Sequence, residues 1–210
     1  MTKYEFLDGL AKKFGTDKSS DGHDYTRYYS NLLPDKCRTL LEIGIAEGKS
    51  ALLWDAFYGK DELELHYIDL FKNTEFVSQR YCRNRGWEPH KGDQGDIDFL
   101  YTIKEMFEVI IEDGSHASFD QIISFKHLFC NNLVSGGLWV TEDLHCCKDE
   151  SYRYRDSIEF EDTLLAVFHK FKETGELTSR FFSDTENEFF KEKIKSIELY
   201  DDKICFITKK

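Results

Sequence analysis

A chain of 210 residues has the length of one domain, and at 40% hydrophobic it carries enough apolar side chains for a packed core. Its 40 acidic and 28 basic residues give a formal charge of −12, which excludes nucleic acid and anionic membrane surfaces as general partners because both repel an acidic surface. No apolar run approaches the ~20 residues of a membrane span, and the opening Met-Thr-Lys-Tyr-Glu-Phe has no signal-peptide core, so a cytoplasmic setting is expected.

Residues 3–15 place Phe6, Leu7, Leu10, Ala11 and Phe14 at helical spacing, ended by Gly15. A polar loop follows, and Asp24–Leu33 reads as a second short helix stopped near Pro34. These two form a small helical cap over residues 1–35. The apolar run Leu40, Leu41, Ile43 predicts a buried strand. It ends in Glu42-Ile43-Gly44, and Gly48 opens an amphipathic helix over Lys49–Tyr58. Strand, glycine turn and helix make the first unit of a doubly wound sheet, where ligands bind at the carboxyl edge. The spacing E-x-G-x-x-x-G departs from the G-x-G-x-x-G of dinucleotide binders.

Beyond this unit the pattern alternates. Strands are predicted over Glu64–Ile68 (with Asp69 at its end), Trp87–Lys91, Phe107–Ile111 and Leu138–Thr141. Helices are predicted over Asn73–Arg85, Ile97–Met106, Phe119–Leu133 and Ser157–Glu173, with Gly136-Gly137 as a turn. Residues 146–156 read as a lid loop. Ile194–Leu199 and Lys203–Thr208 flank Tyr200-Asp201-Asp202, a hairpin signal. The fold expected is α/β: a Rossmann-like, seven-stranded, mostly parallel sheet with a C-terminal antiparallel hairpin, in one domain over 1–210. The six cysteines, at 37, 82, 130, 146, 147 and 205, form no C-x-x-C, which argues against zinc; reduced thiols are expected, with Cys146-Cys147 either redox-active or two plain loop thiols.

Acids stand at four strand ends: Glu42, Asp69, Asp113 and the pair Glu142-Asp143. Parallel strands point these ends one way, and crowded carboxylates raise one another's pKa unless cations neutralise them. A sulfonium ligand and a divalent metal would do so. Asp69 lies about 20 residues beyond Gly48, the offset at which an acid meets a ribose diol; it reads equally as a helix cap. Asp93-Gln94 after the third strand would meet an adenine amine, or make a plain Gly-Asp turn. Asp113, Glu142 and Asp143 offer hard oxygen donors that suit Mg²⁺ better than zinc, or are surface acids. His116, three residues past Asp113, can take a proton from a hydroxyl, or cap the next helix; His145 is a second candidate.

These residues carry a wider pattern. The strings Phe-Gly-Thr-Asp-Lys-Ser-Ser (14–20), His-Asp-Tyr-Thr-Arg-Tyr-Tyr (23–29), Leu-Leu-Glu-Ile-Gly (40–44), Gly-Asp-Gln (92–94), Glu-Asp-Gly-Ser-His (112–116) and Ser-Gly-Gly-Leu-Trp-Val-Thr-Glu-Asp-Leu-His (135–145) run in order along most of the chain. So does Ser-Ile-Glu-Leu-Tyr-Asp (196–201). Together they resemble the metal-dependent macrocin and mycinamicin type of sugar O-methyltransferases, within the class I methyltransferases that use S-adenosylmethionine (SAM). The resemblance implies SAM and Mg²⁺ as cofactors. It implies metal ligands Asp113, Glu142 and Asp143, His116 as general base, and a SAM site including Glu42, Gly44, Gly48, Asp69, Asp93, Gln94 and Asp113. It also implies a small-molecule sugar or glycoside acceptor and a homo-oligomer. Two positions depart: Glu112 replaces the more usual Asp, and Asp120 stands where a second His is frequent. The large N-terminal domain of some macrolide enzymes is not expected here. A catechol-type methyltransferase and an NAD-binding oxidoreductase are the competing readings.

Overall fold

In the structure, a computed structural model, residues 1–59, 62–70 and 86–210 are described. The helix predicted over Asn73–Arg85 lies outside them. The chain divides into two compact units, Met1–Lys91 and Gly92–Lys210. Among the described residues, the strands of the first unit lie in the order Glu88–Lys91, Glu64–Asp69, Thr39–Ile43, and those of the second in the order Phe107–Glu112, Leu133–Thr141, Ile204–Lys209, Ile194–Tyr200.

In the first unit, helix α1 (Lys3–Phe14) starts on a capping box: the Thr2 side chain takes the Glu5 N–H, and the Glu5 carboxylate takes the Thr2 N–H. It stops at Gly15, whose φ of 72° only glycine adopts without strain. Helix α2 (Tyr25–Leu32) and helix α3 (Lys49–Tyr58) pack on α1. Tyr29 meets Trp54 edge-on at 5.1 Å, and both rings are fully buried. Strands β1 (Thr39–Ile43), β2 (Glu64–Asp69) and β3 (Glu88–Lys91) are parallel, with Leu41 opposite His66 and Ile68 opposite His90.

The second unit begins with α4 (Ile97–Leu100), then β4 (Phe107–Glu112), α5 (Ser118–Asn131) and β5 (Leu133–Thr141). β5 runs parallel to β4. Three 3-10 turns follow, at Leu144–Lys148, Glu150–Tyr152 and Arg155–Ser157. A fourth, at Phe160–Asp162, leads into α6 (Leu164–Thr174). Last come α7 (Asp184–Lys193), β6 (Ile194–Tyr200) and β7 (Ile204–Lys209), with β7 antiparallel to both β5 and β6. Asp201 and Asp202 have φ of 53° and 54°, the left-handed pair that a tight hairpin turn requires. Phe125 is the hub of the core, within 5.3 Å of Trp139, Phe129, Phe168 and Phe190.

Four expectations change. The helix expected over Ile97–Met106 is a single turn, because its next residues bond locally: the Thr102 hydroxyl donates to Phe99 O and the Lys104 N–H to the Glu105 carboxylate. Gly136-Gly137 lie inside β5 and not in a turn before it; Gly136 (φ 79°) sits where the pairing with β4 shifts register, a bulge that lets the strand start at Leu133. Helix α6 begins at Leu164 and not Ser157, since the Thr163 side chain caps it. Helix α7 lies where the sequence pattern predicts no element, although its capping box Ser183/Glu186 is readable in the sequence. Among the described residues, no helix is long and apolar enough to cross a membrane.

Candidate active site

At the end of β1 the backbone turns through Gly44 (φ 84°), Ala46 (φ 44°) and Gly48 (φ 78°). The Gly44 N–H donates to Ile68 O at 2.8 Å, and the Gly48 N–H to Ile45 O at 2.7 Å. Gly48 caps α3 without a side chain, so the N-cap supplies no side-chain acceptor to the first N–H groups of that helix. Two of the predicted site residues fasten this turn. Asp69 Oδ2 accepts the Ile45 N–H at 3.0 Å. Glu42 is fully buried; its Oε2 accepts from Ser50 Oγ at 2.9 Å, and its Oε1 lies 3.8 Å from the buried Lys18 Nζ. Glu42 thus acts from beneath the turn, out of contact with solvent.

In the second unit, three side chains meet. Asp113 follows β4, His116 lies on the turn into α5, and Asp143 follows β5. One ligand-type atom from each lies within 4.8 Å of the others. His116 Nε2 stands 3.6 Å from Asp143 Oδ2, too far for a direct hydrogen bond, and His145 Nδ1 is 3.8 Å from Asp143 Oδ1. His116 Nδ1 is buried without a hydrogen-bond partner. The Tyr152 ring lies 6.4 Å from the His116 ring. Glu142 is buried at the end of β5, its N–H bonded to Glu112 O at 2.9 Å, and its carboxylate lies outside the three-residue group.

A scaffold supports this group. Gln94 Nε2 donates to Glu112 Oε1 at 2.8 Å, and Gln94 Oε1 accepts the Ser115 N–H at 2.9 Å. Both ends of the amide expected at an adenine are therefore engaged in holding the Asp113–His116 turn. Asp93 Oδ1 accepts the Gly95 N–H at 2.8 Å, the turn alternative weighed for it. Burial pushes the Glu112 carboxyl up to about 7, against the Gln94 hydrogen bond and the charge of His116, which lower it. Ser115 Oγ donates to Asp120 Oδ2 at 2.8 Å, and Asp120 Oδ1 pairs with Arg155, whose guanidinium lies 4.5 Å from the Phe119 ring centre. Residues 149–157 are thereby fastened to the His116 turn. Burial, aided by Asp143, pushes the Cys146 thiol up to about 11, and burial also raises Cys147. Both stay protonated, which favours the plain-thiol reading over a redox pair.

Sequence reasoning missed Gln94 as a scaffold, Glu112 as a buried acid and the Asp120–Arg155 pair. The apolar run before Glu112 signals its burial; nothing local signals a pair 35 residues apart.

No family model matches the chain. Over 150 residues it is 29% identical to the L-olivosyl-oleandolide 3-O-methyltransferase of Streptomyces antibioticus, a match covering 65% of this chain and 36% of that protein. Over 151 residues it is 30% identical to the 8-demethyl-8-alpha-L-rhamnosyl tetracenomycin-C 2'-O-methyltransferase of Streptomyces olivaceus, covering 66% of this chain and 37% of that protein. The chain spans about a third of the length of the curated relatives it matches. These relatives are sugar O-methyltransferases, the group that the motifs resemble. Among solved structures, the MycE methyltransferase of the mycinamycin biosynthetic pathway, in complex with Mg and SAH, superposes with a TM-score of 0.76 at 24% identity, over 97% of this chain and 54% of that one. The Rossmann-like fold is thus established.

Proposed function

We propose that this chain is a SAM-dependent O-methyltransferase acting on a sugar hydroxyl, with Asp113 and Asp143 holding Mg²⁺ and His116 as general base. The observation that carries the reading is the meeting of Asp113, His116 and Asp143 at the ends of two adjacent parallel strands. The relatives' activity supports it. The donor set fits the metal: two carboxylates supply hard oxygens, and Mg²⁺ keeps waters at its remaining positions. The resemblance adds Glu142 as a further oxygen donor. The Gly44–Gly48 turn, with Asp69 toward the ribose, is the proposed seat of SAM.

When bound, Mg²⁺ would act as Lewis acid and template for the acceptor hydroxyl, and SAM would supply the methyl group. The remaining work falls to the chain. His116, at the ring nitrogen facing Asp143, takes the hydroxyl proton, and the Asp143 carboxylate stabilises the resulting imidazolium. Gln94, Ser115 and Asp120 fix the turn from which His116 projects, so the base is already in place and alignment contributes to the rate. The test is methyl transfer from labelled SAM to a panel of nucleotide sugars and glycosides, with Mg²⁺ or EDTA. Turnover that EDTA abolishes is expected. His116→Ala should lower it by about 10²–10⁴-fold with SAM binding intact. Full activity in that variant would overturn the assignment.

A further inference from the structure

Three basic residues lie in or beside the segment that the Asp120–Arg155 pair fastens to the His116 turn, and their environments differ. Lys148 Nζ pairs with Asp202 at 2.9 Å, and Arg155 is neutralised by Asp120. Among the described residues, Arg153 has no acid so near. The carboxylate nearest its guanidinium is that of Glu150, at 3.9 Å, whose side chain is 94% exposed. Asp149, whose carboxyl feels the Arg153 charge, spends its Oδ1 on the Ser151 N–H at 2.8 Å. Yet the Arg153 side chain is only 14% exposed, and its Nε is buried with no hydrogen-bond partner. A guanidinium with a covered stem and an unspent donor is costly unless something supplies acceptors. Its backbone is held at both groups, the N–H on Glu150 O at 2.9 Å and the carbonyl under the Ile158 N–H at 3.3 Å. The residue before it is Tyr152, whose ring stands 6.4 Å from that of His116.

We propose that Arg153 is the receptor for an anionic group on the acceptor, so that the sugar methylated here carries a phosphate ester or a carboxylate. The planar fork of a guanidinium matches both groups. Such a receptor is needed locally, because a chain of net charge −12 repels anions in general. The choice of a sugar rests on the methyltransferase reading; the anion site does not.

The test is calorimetric titration of the full chain in EDTA, so that no cation bridges ligand and protein. The probes are a nucleoside diphosphate hexose, a hexose 1-phosphate, a hexuronate and a neutral methyl hexoside. At least one anionic probe should bind more tightly than the neutral hexoside. Arg153→Met, which keeps most of the stem, should weaken it by about ten- to a hundredfold, and Arg153→Lys should recover part of the loss. Whether phosphate or carboxylate binds tells the two sources apart. Equal binding of neutral and anionic probes, or anion binding within about twofold of wild type in a folded Arg153→Met, would overturn the proposal. If Arg153→Met does not fold, Arg153→Gln and Arg153→Lys are read in the same way. Methyl transfer measured alongside separates the two ideas: anion binding without transfer to any probe sinks the methyltransferase reading alone, and transfer to the neutral hexoside alone sinks the anion site alone.

Discussion

Lys18 offers the sharpest test of how the glycine turn is held. Its side chain is 1% exposed, Glu42 is 0% exposed, and the charges stand 3.8 Å apart. At an effective dielectric of about 20 this attraction amounts to ~4 kcal/mol, while desolvation of each ion opposes it. The net worth of the pair is therefore small, but breaking one side is not. Lys18→Met removes the ammonium beside a fully buried carboxylate and should destabilise the fold by about 3–5 kcal/mol. That corresponds to a fall in Tm of about 6–20 °C for a chain of this length. Urea denaturation followed by tryptophan fluorescence reports on this unit through the buried Trp54. The double variant Lys18→Met/Glu42→Gln, which removes the stranded charge, should recover more than half of the loss. A Lys18→Met protein within about 1 kcal/mol of wild type would show that the pair behaves like an exposed one and that Glu42 is not trapped beneath the turn.

Lys209 caps helix α5, its Nζ donating to the carbonyls of Phe129 at 2.7 Å, Cys130 at 3.2 Å and Leu133 at 2.8 Å. Lys209→Met should destabilise by about 1–3 kcal/mol in chemical denaturation, and an unchanged midpoint would refute the capping role. Burial raises the Asp8 carboxyl, but hydrogen bonds from Ser20 and Thr26 outweigh it and hold the pKa below the ordinary value. The unfolded chain then binds the proton first, so this stability is present above about pH 4 and is lost as pH falls through the folded pKa. Asp8→Ala should flatten the acid limb of a stability-against-pH curve; an unchanged limb would place the titration elsewhere. Asp120→Asn should release the 149–157 segment to limited proteolysis and lower methyl transfer about tenfold with SAM affinity unchanged. Gly95→Ala should do the same, because its Cβ would collide with Asp120 Oδ1 and Arg155; protection equal to wild type in both variants would discard the latch.

The parts of this molecule written in local sequence were legible. The alternation of apolar runs with 3.6-period segments marked the strands, and the Tyr-Asp-Asp turn marked the hairpin that β6 and β7 form. The placement of Asp113, His116 and Asp143 followed from strand ends pointing one way. What was not legible depends on contacts between distant residues. Gly136-Gly137 has the composition of a turn, and only its pairing with β4 makes it a bulge. Gln94 looked like a ligand-facing amide because Glu112 and Ser115, 18 and 21 residues away, were not known to flank it. Glu142 reads like Asp143 in the chain, yet only the latter joins the cluster. Adjacent strand residues face opposite ways, and the backbone after Glu142 decides which acid turns in.

That backbone decision connects the fold to the chemistry. His116 and Asp143 have φ of 56° and 53°, left-handed values that cost a non-glycine residue about 1–2 kcal/mol and persist only where the surroundings over-determine them. Both are over-determined. Ser115 is held through its N–H by Gln94 and through its hydroxyl by Asp120, and the Ala117 N–H returns to Ser115 Oγ at 3.2 Å. Around Asp143, the Glu142 N–H is fixed on Glu112 O, the Leu144 N–H on Lys203 O and the Cys146 N–H on Asp143 O, each at 2.9 Å. The Lys203 carbonyl belongs to the turn between β6 and β7, so the C-terminal hairpin, which supplies no residue to the cluster, helps to set the angle at which Asp143 enters it. Relaxing either residue to an extended φ would swing its side chain out of reach of the other. Local strain at two positions is what lets an acid and a histidine from separate strand ends meet.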